Sequence, residues 1–249
     1  VRLAYWNSAK SDLELLRTEI ETLWGMDDQG RITGSPLLVI AAATDGSQAA
    51  VAATRVPELL AAELVATVVG IGASCADPSD QPAAMDACQR LLADAGWPVE
   101  VTSGPSYLIP PGITFETSAR IVLSNAEDVE VVRHANPGNW EADEWRDLLD
   151  GRLGPWAMAV EEDRVISICH TPRCSARGAE AGVWTHPDFR GRGHAAAVTA
   201  AWAALMEPTG RRLFYSTSAS NHSSQGVAAR LVLRPIGWLW ILLPAIGER

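Results

Sequence analysis

Lysine is nearly missing from this chain of 249 residues: Lys10 stands alone among 20 cationic side chains. Carboxylates number 30, so the formal net charge is −10. That balance excludes a general nucleic-acid role, because phosphate backbones select Lys and Arg. Long apolar runs are also missing. The longest, Ile236–Ile246, is broken by Gly237 and Pro244, whereas a membrane-spanning helix needs about 20 residues. The N-terminal stretch carries Arg2, Lys10 and Asp12 with no long apolar run between them. That is no secretory leader, and the cytoplasm is the expected location. The cysteines, Cys75, Cys88, Cys169 and Cys174, form no Cys-x-x-Cys pair. Cys169-His170 with Cys174 fits no zinc spacing, so reduced thiols and no metal are expected.

Hydrophobic residues make up 47% of the chain, enough to bury a core and to exclude wholesale disorder. The length suits one large domain or two small ones. Acids are concentrated early: residues 1–118 hold 15 Asp/Glu against 6 Lys/Arg, while residues 119–249 are nearly balanced. Pro110-Pro111-Gly112 breaks the chain near that shift. An N-terminal accessory domain over 1–118 and a second domain over 119–249 are expected.

Periodicity predicts a helix over Asp12–Trp24, from Leu13, Leu16, Ile20 and Leu23. Leu37–Ala43 and Gln48–Arg55 flank Asp45-Gly46, a hairpin signal. Helices are predicted from Pro57 and over Pro82–Ala95, and Val99–Ile109 reads as extended. Then come a strand (Ile113–Leu123), helices over Ala126–Arg133 and Glu141–Leu149, and a hairpin of Trp156–Val160 with Val165–His170. The strand Glu180–Thr185 leads through a Gly-rich loop into the helix Ala195–Met206. Arg212–Ser218 and Ile236–Leu243 read as strands around a helix at Ser223–Arg230. Mixed strands and helices make the fold α/β or α+β.

The most informative stretch runs from Gly182 to Ala195, a strand passing through Arg190-Gly191-Arg192-Gly193-His194 into a helix. Glycines bring backbone N–H groups close to a ligand, and a helix start adds free amides and partial positive charge. Together with Arg190 and Arg192 this suits a phosphate or pyrophosphate. A Walker loop is excluded, since no Gly-Lys-Ser/Thr follows. A dinucleotide fingerprint should sit directly after its strand and be followed by an acid at the next strand's end. Pro187–Arg190 intervene here, and the next strand ends Ser216-Thr217-Ser218.

The segment resembles motif A of the GNAT N-acetyltransferase superfamily. Arg190-x-x-Gly193-x-Ala195 matches the family's acyl-CoA loop, and Thr185-His186-Pro187 precedes it as is typical. Asn221-His222-Ser223-Ser224 matches the asparagine motif after the next strand, with Arg230-Leu231 and Gly237-Trp238 continuing the ending. The resemblance covers roughly residues 119–245. It implies a mixed, mostly antiparallel sheet splayed after the strand of Val183 and Thr185, whose backbone would pair with pantetheine. The pyrophosphate of acetyl-CoA would lie on Arg190, Gly191, Arg192, Gly193, His194 and Ala195, and Asn221 and Ser224 would hold the pantetheine arm. The implied reaction is direct acetyl transfer from acetyl-CoA to a primary amine, with no cysteine placed for a covalent intermediate.

Two departures stand out. The family's tyrosine seven residues after the asparagine is Ala228, and a glycine eleven residues on is Val232. Tyr215 or Ser216 would have to replace that tyrosine as proton donor to the departing thiolate. Glu180 is the expected base, acting through water, with the adjoining strand end His170 in second place as a substrate contact. Trp184 is expected in the core. The acceptor is a small-molecule or peptide amine, and the acidic balance favours a cationic one; no nucleic acid or membrane partner is expected, and the oligomeric state stays open. The missing tyrosine and glycine leave a second reading, a catalytically weak acyl-CoA-binding or sensing module with a partner-binding N-terminal domain.

Overall fold

The computed structural model describes residues 10–72 and 77–245; Cys75 and Ile246 lie outside them. In chain order the elements begin α1 (Asp12–Trp24), β1 (Leu38–Ala43), β2 (Gln48–Ala52), α2 (Glu58–Ile71), α3 (Met85–Asp94) and β3 (Val99–Leu108). They continue β4 (Arg120–Leu123), α4 (Ala142–Leu149), β5 (Ala157–Glu161), β6 (Arg164–Cys174) and β7 (Gly178–Thr185). The chain ends with α5 (His194–Met206), β8 (Arg212–Ser216), α6 (His222–Arg230) and β9 (Arg234–Pro244). The fold is mixed α/β. No described helix is long and apolar enough to cross a membrane.

The chain divides into two compact units, and neither is continuous in sequence. The first takes residues up to Tyr107, Ser216–Asn221 and the stretch from Pro235 on. The second is Leu108–Tyr215 with His222–Arg234. The reason is hydrogen bonding: β9 pairs antiparallel with β1 from Gly237 opposite Ala43 to Leu242 opposite Leu38, so the last strand belongs with the first.

In the first unit the strands run β2-β1-β9-β3. β1 is buried at all six positions, and its continuous apolar sequence is that of a strand covered on both faces. Its hairpin with β2 turns at Asp45-Gly46, as the sequence predicts. Helix α1 starts with a capping box: the Ser11 hydroxyl accepts from the Glu14 amide, and the Glu14 carboxylate accepts from the Ser11 amide.

The second unit orders its strands β8-β7-β6-β5-β4. All pairs are antiparallel except β7 with β8, which is parallel. A core of Val122, Trp145, Leu148, Trp156, Met158, Val160 and Ile168 covers one face, with Trp140 and Trp184 packed against it. Tryptophans supply apolar area and need a partner for the indole N–H. Trp156 Nε1 donates to the Leu148 carbonyl (2.8 Å) and Trp145 Nε1 to the Arg133 carbonyl (3.1 Å). One expectation fails in this unit. Of the strand predicted over Ile113–Leu123 only Arg120–Leu123 forms, because Phe115 and Thr117 turn aside to pack at the start of α5. The helix predicted over Ala126–Arg133 forms over Glu127–Val132, as a 3₁₀ helix.

Helix α6 ends in a Schellman motif: Leu233 N–H donates to the Ala228 carbonyl (2.9 Å) and Val232 N–H to the Ala229 carbonyl (3.1 Å). Helix α3 ends the same way, with Trp97 bonding to Leu92 and Gly96 in the left-handed position at φ 83°. In α6 that position falls to Val232, at φ 52° and 82% exposed. A left-handed conformation costs an L-residue roughly 1–2 kcal/mol, and a β-branched one is disfavoured further. Val232→Gly and Val232→Asn are therefore expected to raise stability by up to about 1 kcal/mol after the extra unfolded-state entropy of glycine is counted. Urea unfolding checks this, and a lowered midpoint in both variants would show that the turn is unstrained.

Candidate functional site

Strand β7 is paired on one side along its length and on the other only at its start. Its ladder with β6 runs from Cys174 opposite Ala179 to Ser167 opposite Thr185. Its ladder with β8 stops after Gly178–Arg212, Ala179–Leu213 and Glu180–Phe214. The two parallel strands part at that point, which is the splay the family resemblance implies. Backbone groups alternate in direction along a strand. The Trp184 carbonyl accepts from Ser167 Oγ (3.0 Å) and the His186 amide donates to Ile166 (2.9 Å), both towards β6. Val183 and Thr185 therefore turn their amides and carbonyls towards the open side.

Beyond Thr185 the chain makes a 3₁₀ turn over Pro187–Phe189 and reaches α5 through Gly191 (φ 78°) and Gly193 (φ 91°). Gly193 is the N-cap of α5, and a Cβ there would lie 2.9 Å from Phe115 Cε1. The amides of Gly191, Arg192 and Gly193 donate to nothing among the described residues, and the first turn of α5 adds further free N–H groups. Guanidinium groups hold this loop by its carbonyls. Arg190 Nε donates to Thr185 O (3.3 Å), Arg192 to Asp188 O (3.0 Å) and Arg230 to Gly191 O (3.4 Å). Arg192 also lies over the Phe189 ring, 5.1 Å from its centroid. The result is a run of free amides with cations beside it, suited to a pyrophosphate.

His194, read from sequence for its amide alone, has a buried side chain. Its Nδ1 meets Thr117 Oγ1 at 2.9 Å, and its Nε2 lies 3.8 Å from the Glu161 carboxylate. The ring ties the start of α5 to its surroundings. Asn221 falls in the first unit, exposed and directly before α6, its amide donating to Ser218 O (3.0 Å). Ser224 lies half-buried in the first turn of α6. Ala228 is 1% exposed, so the slot of the family's tyrosine is filled by helix packing.

The remaining candidates stand on β6, β7 and β8. Tyr215, 2% exposed, stands one residue past the last β7–β8 pair, and the half-buried Ser216 follows it at the end of β8. Glu180 stands in that last pair and is 5% exposed, so it is no solvated strand-end carboxylate. Cys169 is fully buried. Burial, then the Glu180 charge, push its thiol well above the ordinary range, opposed by a hydrogen bond with Thr199. That environment disfavours the thiolate a nucleophile requires.

His170 sits opposite Gly182. Its Nδ1 is 2.9 Å from the Gly182 carbonyl, which can only accept, so Nδ1 carries the proton and Nε2 keeps its lone pair. Gly182 makes this contact possible, since a Cβ there would come within 2.6 Å of His170 Cε1. Burial lowers the His170 pKa below 6.5, opposed by that hydrogen bond, and the ring is neutral at pH 7. Trp140 meets it edge-on at 4.9 Å.

The ladder shifts just past His170: three steps on β6 to Arg173 match two on β7 to Glu180. This bulge is held through Thr171, whose hydroxyl donates to Pro155 O (2.8 Å) and accepts from Trp202 Nε1 (3.0 Å). Beside it opens a cavity of about 610 Å³ with His170, Trp140, Leu153, Pro172, Cys174 and Arg211 in its wall. Sequence reasoning missed this cavity. Trp140, Pro155, Thr171 and Arg211 carry no motif and converge only through the fold. Arg230 was legible as part of the family's ending, but its reach to the loop was not.

A family model described as an acetyltransferase (GNAT) domain matches residues 115–234. Those residues are a GNAT acetyltransferase domain, and the N-terminal region carries no family assignment. Among solved structures the chain is similar to a protein from Novosphingobium aromaticivorans assigned to the GNAT acetyltransferases: 24% identity over 60% of this chain and 67% of that one, TM-score 0.43. It is similar to a GNAT-family acetyltransferase from Colwellia psychrerythraea at 14% identity over 75% and 74% of the two chains, TM-score 0.45. A tandem GNAT protein from the clavulanic acid biosynthesis pathway matches at 15% identity over 70% of this chain and 62% of its own, TM-score 0.46. No curated protein matches the sequence.

The geometry of His170 sets an expectation for imidazole NMR. The ring should titrate with a midpoint below 6.5 and populate the Nδ1-protonated tautomer above it. Gly182→Ala should displace the ring and remove that tautomer preference. A midpoint at or above 6.5 in the wild type would contradict the buried, carbonyl-bonded arrangement.

Proposed function

We propose that this chain transfers an acetyl group from acetyl-CoA to a primary amine, directly and within a ternary complex. The observation that carries the reading is the unpaired edge of β7 at Val183 and Thr185, running straight into an amide-lined loop rimmed by Arg190, Arg192 and Arg230. A pantetheine arm can add to that edge as an extra strand does, and a pyrophosphate meets amides with no other acceptor. Ser224 is the further contact within the same unit that the resemblance assigns to the pantetheine arm.

The amine nitrogen attacks the thioester carbonyl carbon, the carbon–sulfur bond breaks, and the amine proton leaves to a base. An alkylamine is almost wholly protonated at neutral pH, so that base matters. His170 is the better placed of the two candidates: neutral at pH 7, with Nε2 uncommitted and a position on the cavity wall. Glu180, buried at the fork of β7 and β8, is the alternative. A CoA thiolate leaves readily, since thiol pKa values lie near 8.5, and Tyr215 is the hydroxyl next to the fork that could return a proton to it. The buried Cys169 speaks for direct transfer over an acyl-cysteine intermediate.

Calorimetry should show acetyl-CoA binding by the wild type and none by Gly193→Asp, which sets a side chain and a negative charge into the loop. Thiol release with an acceptor amine should fall about 10²–10⁴-fold in kcat at pH 7 in His170→Asn. Acetyl-CoA affinity should be kept, and part of the loss should return at pH 9. The same profile from Glu180→Gln with a normal His170→Asn would exchange the two roles. Binding of acetyl-CoA without thiol release on any amine would favour the sensing module, and equal affinity in wild type and Gly193→Asp would remove the loop from the site.

A further inference from the structure

The cavity beside the β6 bulge has the size of a small-molecule site, about 610 Å³ against a usual 300–1,000 Å³. Trp140, Leu153, Pro155, Pro172 and Met206 give it apolar walls, and among the described residues no carboxylate lines it. Its charged members are Arg152 and Arg211, with the neutral His170. Arg152 is already neutralised, since its guanidinium pairs with Asp147 and Asp150. Arg211 differs. Its Nε donates to the Ser175 carbonyl at 2.8 Å, which fixes the half-buried side chain, and its two terminal nitrogens meet no acceptor among the described residues. A guanidinium anchored through Nε presents its remaining donors as a fork that matches a carboxylate.

We infer that this cavity receives the acceptor, and that the acceptor is an amine carrying both a carboxylate and an apolar body, the carboxylate on Arg211 and the amine towards His170 Nε2. The inference rests on the acetyltransferase reading and names the class of its second substrate. It departs from the cationic acceptor that the overall charge suggests. Net charge acts over long range and is screened within about 10 Å at ordinary salt. Inside the cavity the nearest uncompensated charge is positive, and a purely cationic ligand would meet it unpaired.

The test compares matched pairs in the thiol-release assay with acetyl-CoA: phenylalanine against phenylalaninamide, and 6-aminohexanoate against its amide, with spermidine as a cationic control. The acids should exceed their amides by about tenfold or more in kcat/KM, mainly through KM. Arg211→Gln should collapse that ratio and Arg211→Lys restore part of it, with acetyl-CoA affinity, read by calorimetry, unchanged in both. The same acids titrated against the protein and followed by NMR should shift the His170 and Trp140 signals in the wild type and not in Arg211→Gln. No acid-over-amide preference, a preference that survives Arg211→Gln, or spermidine as the best acceptor would overturn the inference and leave the acetyltransferase reading standing. Loss of acetyl-CoA binding in the wild type would defeat that reading instead, and the NMR titration would still decide the carboxylate site: absence of any shift there overturns it.

Discussion

The site depends on where one parallel ladder stops. β7 and β8 share three paired positions, ending at Glu180 opposite Phe214, and then part. An unpaired strand edge is normally a liability, because each open amide and carbonyl loses a hydrogen bond or invites another chain. Here the open edge is short, from Ala181 to Thr185, and it runs into a glycine loop whose amides are open as well. Along that side of β7 the open groups of Val183 and the Thr185 amide lead into the loop amides, while the Thr185 carbonyl is held by Arg190 Nε. Arg190, Arg192 and Arg230 stabilise the loop through its carbonyls while leaving their charge at its rim.

The second constraint is the extra residue in β6. A bulge bends its strand and re-aims the side chains next to it. Thr171 anchors this one from two sides, to Trp202 of α5 and to the Pro155 carbonyl before β5. The ring of His170 settles against Gly182 with one nitrogen bonded to backbone and the other open. The ring is thus fixed by backbone contacts rather than by a carboxylate partner. Burial keeps it neutral, the protonation state a proton acceptor needs at pH 7. The same bulge opens the cavity in which Arg211 is held by Ser175.

The two departures from the family pattern have different physical meanings. Ala228 is a core contact of α6, so the missing tyrosine has been replaced by packing, and any proton donor must come from elsewhere. Val232 keeps the left-handed turn that a glycine would adopt, and keeps both Schellman hydrogen bonds with it. The turn geometry survives because those bonds and the burial of Leu233 outweigh one strained residue.

Local chemistry determined much by itself. The capping box at Ser11, the Asp45-Gly46 hairpin, the run into Gly193 and the helix that follows are set by neighbours in sequence, through propensities and φ requirements that act over a few residues. The glycine loop that joins β7 to α5 was legible for that reason, because all its parts lie close together along the chain. Tertiary structure alone decided the rest. That β9 joins β1 depends on pairing across nearly the whole chain. The failed strand at Ile113–Ala119 depends on Phe115 and Thr117 finding partners at the start of α5. The burial of Glu180, the tautomer of His170 and the open fork of Arg211 each arise from contacts between residues distant in sequence, and no spacing along the chain encodes a contact that only the folded sheet creates.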